Sequence, residues 1–89
     1  MTTETKLNPE DFEIMTGEDP VDWPERFAAG SYAKVVTNGE GLWTQIIEDD
    51  GMTIQATMAN NPLGGFAAFG DPVAYRRENV REIRPPAIG

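Results

Sequence analysis

Cysteine and histidine are both absent from this 89-residue chain, and bases are scarce, with 7 Lys and Arg against 15 Asp and Glu. Without cysteine there is no disulfide, no thiolate nucleophile and no sulfur-ligated zinc or iron. Without histidine the usual general base and the commonest nitrogen ligand for metals are missing. Metal-dependent hydrolysis, Ser-His chemistry and Cys-His chemistry in their common forms are excluded. We therefore expect no enzyme, no catalytic residue, no metal and no cofactor. A formal net charge of −8 argues against direct nucleic-acid binding through a basic patch and favours a protein partner with a basic surface. Residues 1–8 are polar and lack an apolar targeting core, and the weakly polar run 62–70 is too short and glycine-rich to span a bilayer. The expected location is cytoplasmic, with no membrane partner.

The acidity is local. Residues 1–25 hold one base, Lys6, against eight acids, a net −7, and residues 26–89 hold six bases against seven acids. The expected organisation is an acidic arm over 1–29, a small domain over 30–85 and a tail over 86–89. Three readings of the arm stand side by side: a solvated tail, a segment folded back over the Arg-rich stretch 76–84, and a binding element for a basic partner. Its punctuation is helical. Asn8-Pro9-Glu10-Asp11 offers a cap, a first-turn proline and first-turn acids, with Phe12 and Met15 three apart, so the spacing predicts a short helix over 9–15. Trp23 to Gly30 predicts a further helical turn ended by Gly30, with Trp23 and Phe27 packed on the body.

From residue 30 onward the pattern is that of a β-protein. Strands are predicted at 31–37, 42–48, 52–59, 73–76 and 80–83, with a 3₁₀ turn at 77–79. Asn38-Gly39 is the strongest hairpin signal, widened in this reading by Glu40-Gly41. The third strand alternates cleanly, with Met52, Ile54, Ala56 and Met58 on the core face. Phe66 and Phe69 are expected to fill the interior. Five short strands in so few residues favour curling, so the expected fold class is mainly β: a small SH3-like, partly open barrel with a short N-terminal helical flap.

Several of these features lie in one order along the chain: the Gly41-Leu42-Trp43 strand, an Asp50-Gly51 turn, an Asn60-Asn61-Pro62 exit, then Gly70-Asp71 with Val73, Arg77-Glu78-Asn79 and Ile83. Over residues 30–83 this resembles the YegJ-like small β-barrel domains of unknown function found in bacteria and phages. The resemblance implies a small barrel and supplies no activity. The acidic, histidine-free composition also looks like that of phage or mobile-element proteins that inhibit a host factor.

The candidate residues follow. Asp49-Asp50-Gly51 reads as turn chemistry, since a calcium loop needs alternating oxygens over about twelve residues. Gly64-Gly65 lacks the Lys-Ser/Thr and the helix of a phosphate loop. The leading function is a non-enzymatic binding module, a phage-type inhibitor or accessory protein. In it Glu10, Asp11, Glu13, Glu18, Asp19 and Asp22 meet a basic host surface. The alternative is sequestration of a nucleotide-like anion by Trp43, Tyr75, Arg76, Arg77 and Arg81. Trp43 there is an exposed stacking surface beside Tyr32 and Tyr75 rather than the core aromatic its size favours. A structural subunit is a third reading, and open edge strands also allow a homodimer.

Overall fold

The computed structural model describes residues 5–15, 23–65 and 67–85. The fold is mainly β, as expected. Five antiparallel strands form one sheet in the order β4-β3-β2-β1-β5, where β1 is Tyr32–Thr37, β2 Glu40–Asp49, β3 Ile54–Met58, β4 Pro72–Tyr75 and β5 Glu82–Arg84. The chain makes a four-strand meander, turns once through a 3₁₀ turn at Arg77–Asn79, and returns to lay β5 against β1. Among the described residues β4 and β5 do not pair, so the sheet is an open one.

Asn38 (φ 52°) and Gly39 (φ 75°) both adopt the left-handed conformation of a two-residue turn. Thr37 then pairs directly with Glu40, and Glu40-Gly41 belong to β2 instead of widening the turn. The inner face carries Ala33, Val35, Leu42, Ile46, Ile54, Ala56, Met58, Val73 and Tyr75, all buried. A single sheet can bury one face only if it curls or is covered, and this one does both. Thr44 on β2 and Tyr75 on β4 have β3 between them, yet their hydroxyls share a 2.7 Å hydrogen bond in the core.

The cover is the N-terminal segment. Leu7 forms a parallel bridge with Val73, the Lys6 N–H donates to the Pro72 carbonyl (2.7 Å) and the Ala74 N–H to the Leu7 carbonyl (2.9 Å). The predicted helix over 9–15 is a correction: only a 3₁₀ turn at Pro9–Asp11 forms, and Phe12 is extended. Continuing the helix would have used the N–H groups of Glu13 and Met15 internally. They instead donate to the carbonyls of Val36 (2.8 Å) and Glu78 (2.7 Å), and Phe12 sits in the core edge-on to Tyr75, ring centroids 5.8 Å apart. Burying a phenylalanine is worth about 1.5–3 kcal/mol, more than such a short helix could offer. The segment is a strap. Trp23 and Phe27 pack as expected, edge to face at 5.3 Å, with Phe27 in the core and Trp23 packed against it. The helical turn expected over 23–30 does not form, because the Phe27 N–H is taken by the Asp49 carboxylate (2.9 Å). Only a tight turn closed by the Ser31 N–H on the Ala28 carbonyl (3.1 Å) ends the segment.

Two further expectations are overturned. Met52 is 82% exposed, because it lies in the turn before β3 with its N–H taken by the Asp50 carboxylate (2.8 Å). Phe69 is 69% exposed: its N–H is held by the Asn61 side chain (2.8 Å) in a loop whose backbone is fixed from outside the core. Phe66 lies outside the described residues.

Candidate binding surfaces

The direction of each side chain follows from the register. Trp43 pairs with Lys34 on β1, and Tyr32 pairs with both Gln45 and Arg84. Paired residues share a face, so Tyr32, Lys34, Trp43, Gln45, Glu82 and Arg84 lie together on the outer face of β1, β2 and β5. Trp43 is thus half-buried on the outer face and is not the core aromatic. The Lys34 ammonium stands 5.9 Å and the Arg84 guanidinium 5.8 Å from its ring centroid, both within cation–π range. Tyr32, Trp43 and Arg84 line a shallow depression of about 360 Å³. The backbone beneath is anchored from the loop after β3: the Trp43 N–H donates to the Asn60 side chain (2.8 Å), and its carbonyl accepts from Ala59 (2.8 Å).

The anion set of Trp43, Tyr75, Arg76, Arg77 and Arg81 is not assembled. Tyr75 is fully buried, and burial pushes its phenol well above the ordinary tyrosine range against the opposing Thr44 hydrogen bond. Arg76 is exposed and stands 3.9 Å from the Glu78 carboxylate. Arg77 covers Phe27 (4.6 Å) and Trp23 (5.6 Å) and donates to the Glu25 carbonyl (3.2 Å). Arg81 is exposed, its backbone N–H bound to the Lys34 carbonyl (2.8 Å). Trp43 alone of the set faces cations, and they are Lys34 and Arg84.

Of the acidic set, Glu10, Asp11 and Glu13 are exposed on the strap, and Glu18, Asp19 and Asp22 lie outside the described residues. Asp11 caps the Asn8 N–H (2.8 Å), and its carbonyl accepts from the Thr37 hydroxyl (2.6 Å). Beside the strap runs a cleft of about 220 Å³ whose walls include Glu10, Ile14, Arg76 and Glu78. Ile14 is 63% exposed at its edge.

Asn79 is a structural residue that the sequence reading passed over. It is buried at the end of the 3₁₀ turn, where its side-chain oxygen accepts from the Arg76 N–H (2.8 Å) and its amide donates to the carbonyls of Phe12 (3.4 Å) and Glu13 (3.1 Å). This side chain ties the strap to the 3₁₀ turn, alongside the backbone bonds and the Thr37 hydroxyl. The acid turn before β3 is also structural. Asp49 accepts from the N–H groups of Phe27 and Gly51, both at 2.9 Å. Asp50 accepts from Thr53 (2.7 Å) and Met52 (2.8 Å), bonds that hold its carboxyl below the usual range. No cluster of metal-ligating side chains occurs among the described residues, and none of their helices is long and apolar enough to cross a membrane. No family model, curated protein or solved structure matches this chain.

Proposed function

We propose that the chain is a non-enzymatic binding module that meets a basic surface of a protein partner through its acidic strap, as a phage-type inhibitor or accessory protein in the cytoplasm. The observation that supports this most directly is the fixed backbone of the strap. Residues 6–15 are held by hydrogen bonds to Pro72, Ala74, Val36 and Glu78, while Glu10, Glu13 and Ile14 face water. A partner segment bearing basic side chains round an apolar one would meet the exposed Glu10 and Glu13 carboxylates and Ile14 on the strap, while Arg76 stands by Glu78 in the adjoining cleft. Little ordering cost would then remain to be met on binding. Glu18, Asp19 and Asp22 join this reading on charge alone. The likeness to YegJ-like domains over residues 30–83 is part of the same proposal and rests on the sequence motifs from Gly41-Leu42-Trp43 to Ile83.

Deleting residues 1–22 would remove Leu7 and Phe12 from the core, so charge reversal is the cleaner test. The probe is a fluorescent peptide of alternating Lys and Leu, followed by anisotropy against native protein and Glu10→Lys/Glu13→Lys. Two exposed ion pairs at about 0.5–1 kcal/mol each translate to roughly a 5- to 30-fold weakening, and native binding should fall with added salt. Equal affinity of the two proteins would refute the strap as the contact surface.

A further inference from the structure

We propose a second site, on the opposite chemistry, at the outer face of β1, β2 and β5: Trp43, Tyr32, Lys34 and Arg84 form a platform for a nucleobase with its phosphate. The argument begins with cost. A tryptophan left half-exposed on an outer face forgoes burial that its neighbours on the same strand obtain. The surrounding side chains define what could repay it. The rings of Tyr32 and Trp43 are diagonal cross-strand neighbours, a spacing within reach of aromatic side chains. They share one open depression, with the planar Arg84 guanidinium beside them.

A flat π-system stacks on such rings whatever its sequence. Lys34 on β1 pairs directly with Trp43, and Arg84 reaches the ring from β5, beyond β1. Both cations therefore stand on the β1 side of Trp43, at 5.9 Å and 5.8 Å from its ring centroid, close enough to meet the phosphate of a base on the ring. Gly41 contributes by omission. A Cβ there would come within 2.6 Å of the Lys34 Cε, so the bare glycine gives the lysine stem its path across β2 towards Trp43. The platform carries its own competitor. Glu82, paired with Lys34 in register, holds the Arg84 guanidinium at 3.7 Å with both side chains partly exposed. A phosphate would take Arg84 from Glu82 and would be opposed by that carboxylate. An acidic peptide could use the two cations but would leave the paired rings unused, which is why the aromatic ligand is favoured.

The experiment uses full-length protein and fluorescein-labelled (dT)₁₂ by anisotropy, with AMP and inorganic phosphate as competitors. The expected result is saturable binding that Trp43→Leu weakens about tenfold or more, by loss of stacking. Two phosphate contacts give a slope of log affinity against log salt of about −1.4, which Arg84→Gln halves to about −0.7. Glu82→Gln should tighten binding by releasing Arg84, and Gly41→Ala should weaken it by displacing Lys34. Each variant is first matched to native far-ultraviolet dichroism and melting. Competition by AMP at equivalent nucleotide concentration assigns the site to free nucleotides, and competition by oligonucleotide alone assigns it to a strand. Competition by phosphate as strong as that by AMP would overturn the role of the rings. So would native affinity in Trp43→Leu, absence of binding at low salt, or equal competition by oligoglutamate. Because the strap substitutions Glu10→Lys/Glu13→Lys touch none of these residues, failure at one surface leaves the other standing.

Discussion

Asn79 offers the sharpest test of how the strap is held. Replacing it by alanine removes an acceptor for the Arg76 N–H and a donor shared between the Phe12 and Glu13 carbonyls. Each bond is worth about 0.5–1.5 kcal/mol net, and a buried group left without a partner costs about 1–3 kcal/mol. The two carbonyls lie near the strap's edge, where water can reach one of them on slight opening, so the expected loss is about 2–4 kcal/mol. A domain of this size has roughly 4–13 kcal/mol in all. At about 4–8 °C per kcal/mol the melting temperature should fall by roughly 10–30 °C. The location of the loss matters as much as its size. Amide exchange should accelerate first at Glu13 and Met15, whose N–H groups reach Val36 and Glu78. The β2–β3 ladder should stay protected up to the global limit. Thr37→Val removes the other side-chain tie, to the Asp11 carbonyl. If the strap detaches as a unit, the double variant loses less than the sum of the singles. A melting temperature within about two degrees of native, or uniform loss of protection across the sheet, would refute the assignment of Asn79 as a fastener of the strap.

Three other outcomes follow from the same geometry. Gly39→Ala should cost about 1–2 kcal/mol by denaturant titration, since a Cβ there meets no atom within 4 Å and the left-handed backbone alone is strained; Asn38→Gly should be close to neutral. Tyr75→Phe should cost about 1 kcal/mol, because Thr44 keeps its second bond to the Ala33 carbonyl. Its raised phenol pKa means that Tyr75 adds stability that is fully present below the unfolded value of about 10 and is lost as the pH climbs from there through the higher folded one. An ultraviolet titration should therefore show Tyr75 ionising only with alkaline unfolding. Asp50 is shifted the other way by the Thr53 and Met52 N–H groups. Its contribution is present above the unfolded carboxyl value and is lost as pH falls through the lower folded one. Carboxyl carbon resonances should place its midpoint below that of an aspartate in an unstructured peptide, and Asp50→Ala should remove that titration.

The turns were legible because turn chemistry is local. Asn38-Gly39 needs two positive φ angles and few residue types supply them, and Arg77–Asn79 forms the 3₁₀ turn read from its three residues. Strand parity was legible in β3, where Ile54, Ala56 and Met58 alternate with polar residues. It was not legible in β2, where Leu42, Thr44 and Ile46 face inward and Trp43, Gln45 and Ile47 do not. Both sets mix apolar and polar side chains, and a bulge at Ile47 resets the phase before Glu48. Size favours Trp43 inward; the register with Lys34 sets it outward, and Phe12 from the strap and Phe27 from the segment before β1 supply aromatic bulk to the core instead.

The binding face was nevertheless encoded in one step of arithmetic. In a two-residue hairpin, positions equidistant from Asn38-Gly39 must pair, which sets Lys34 opposite Trp43. Widening the turn by Glu40-Gly41 shifts that register and sends the search for cations to the Arg-rich stretch 76–84 instead. Arg84 was there to be found, but not its place: only the return of β5 to β1 brings it over Trp43, while Arg76, just before the 3₁₀ turn, lines the cleft beside the strap and Arg77, its first residue, packs over Phe27 and Trp23. Charge counted along the chain groups these arginines together. Charge placed by the fold separates them: Arg76 lies beside the acidic strap, Arg77 over Phe27 and Trp23, and Arg84 beside the rings of the outer sheet face. A molecule with a net charge of −8 can therefore hold a local site for an anion, provided the pairing of strands puts the cations on the side of the sheet that the strap does not cross.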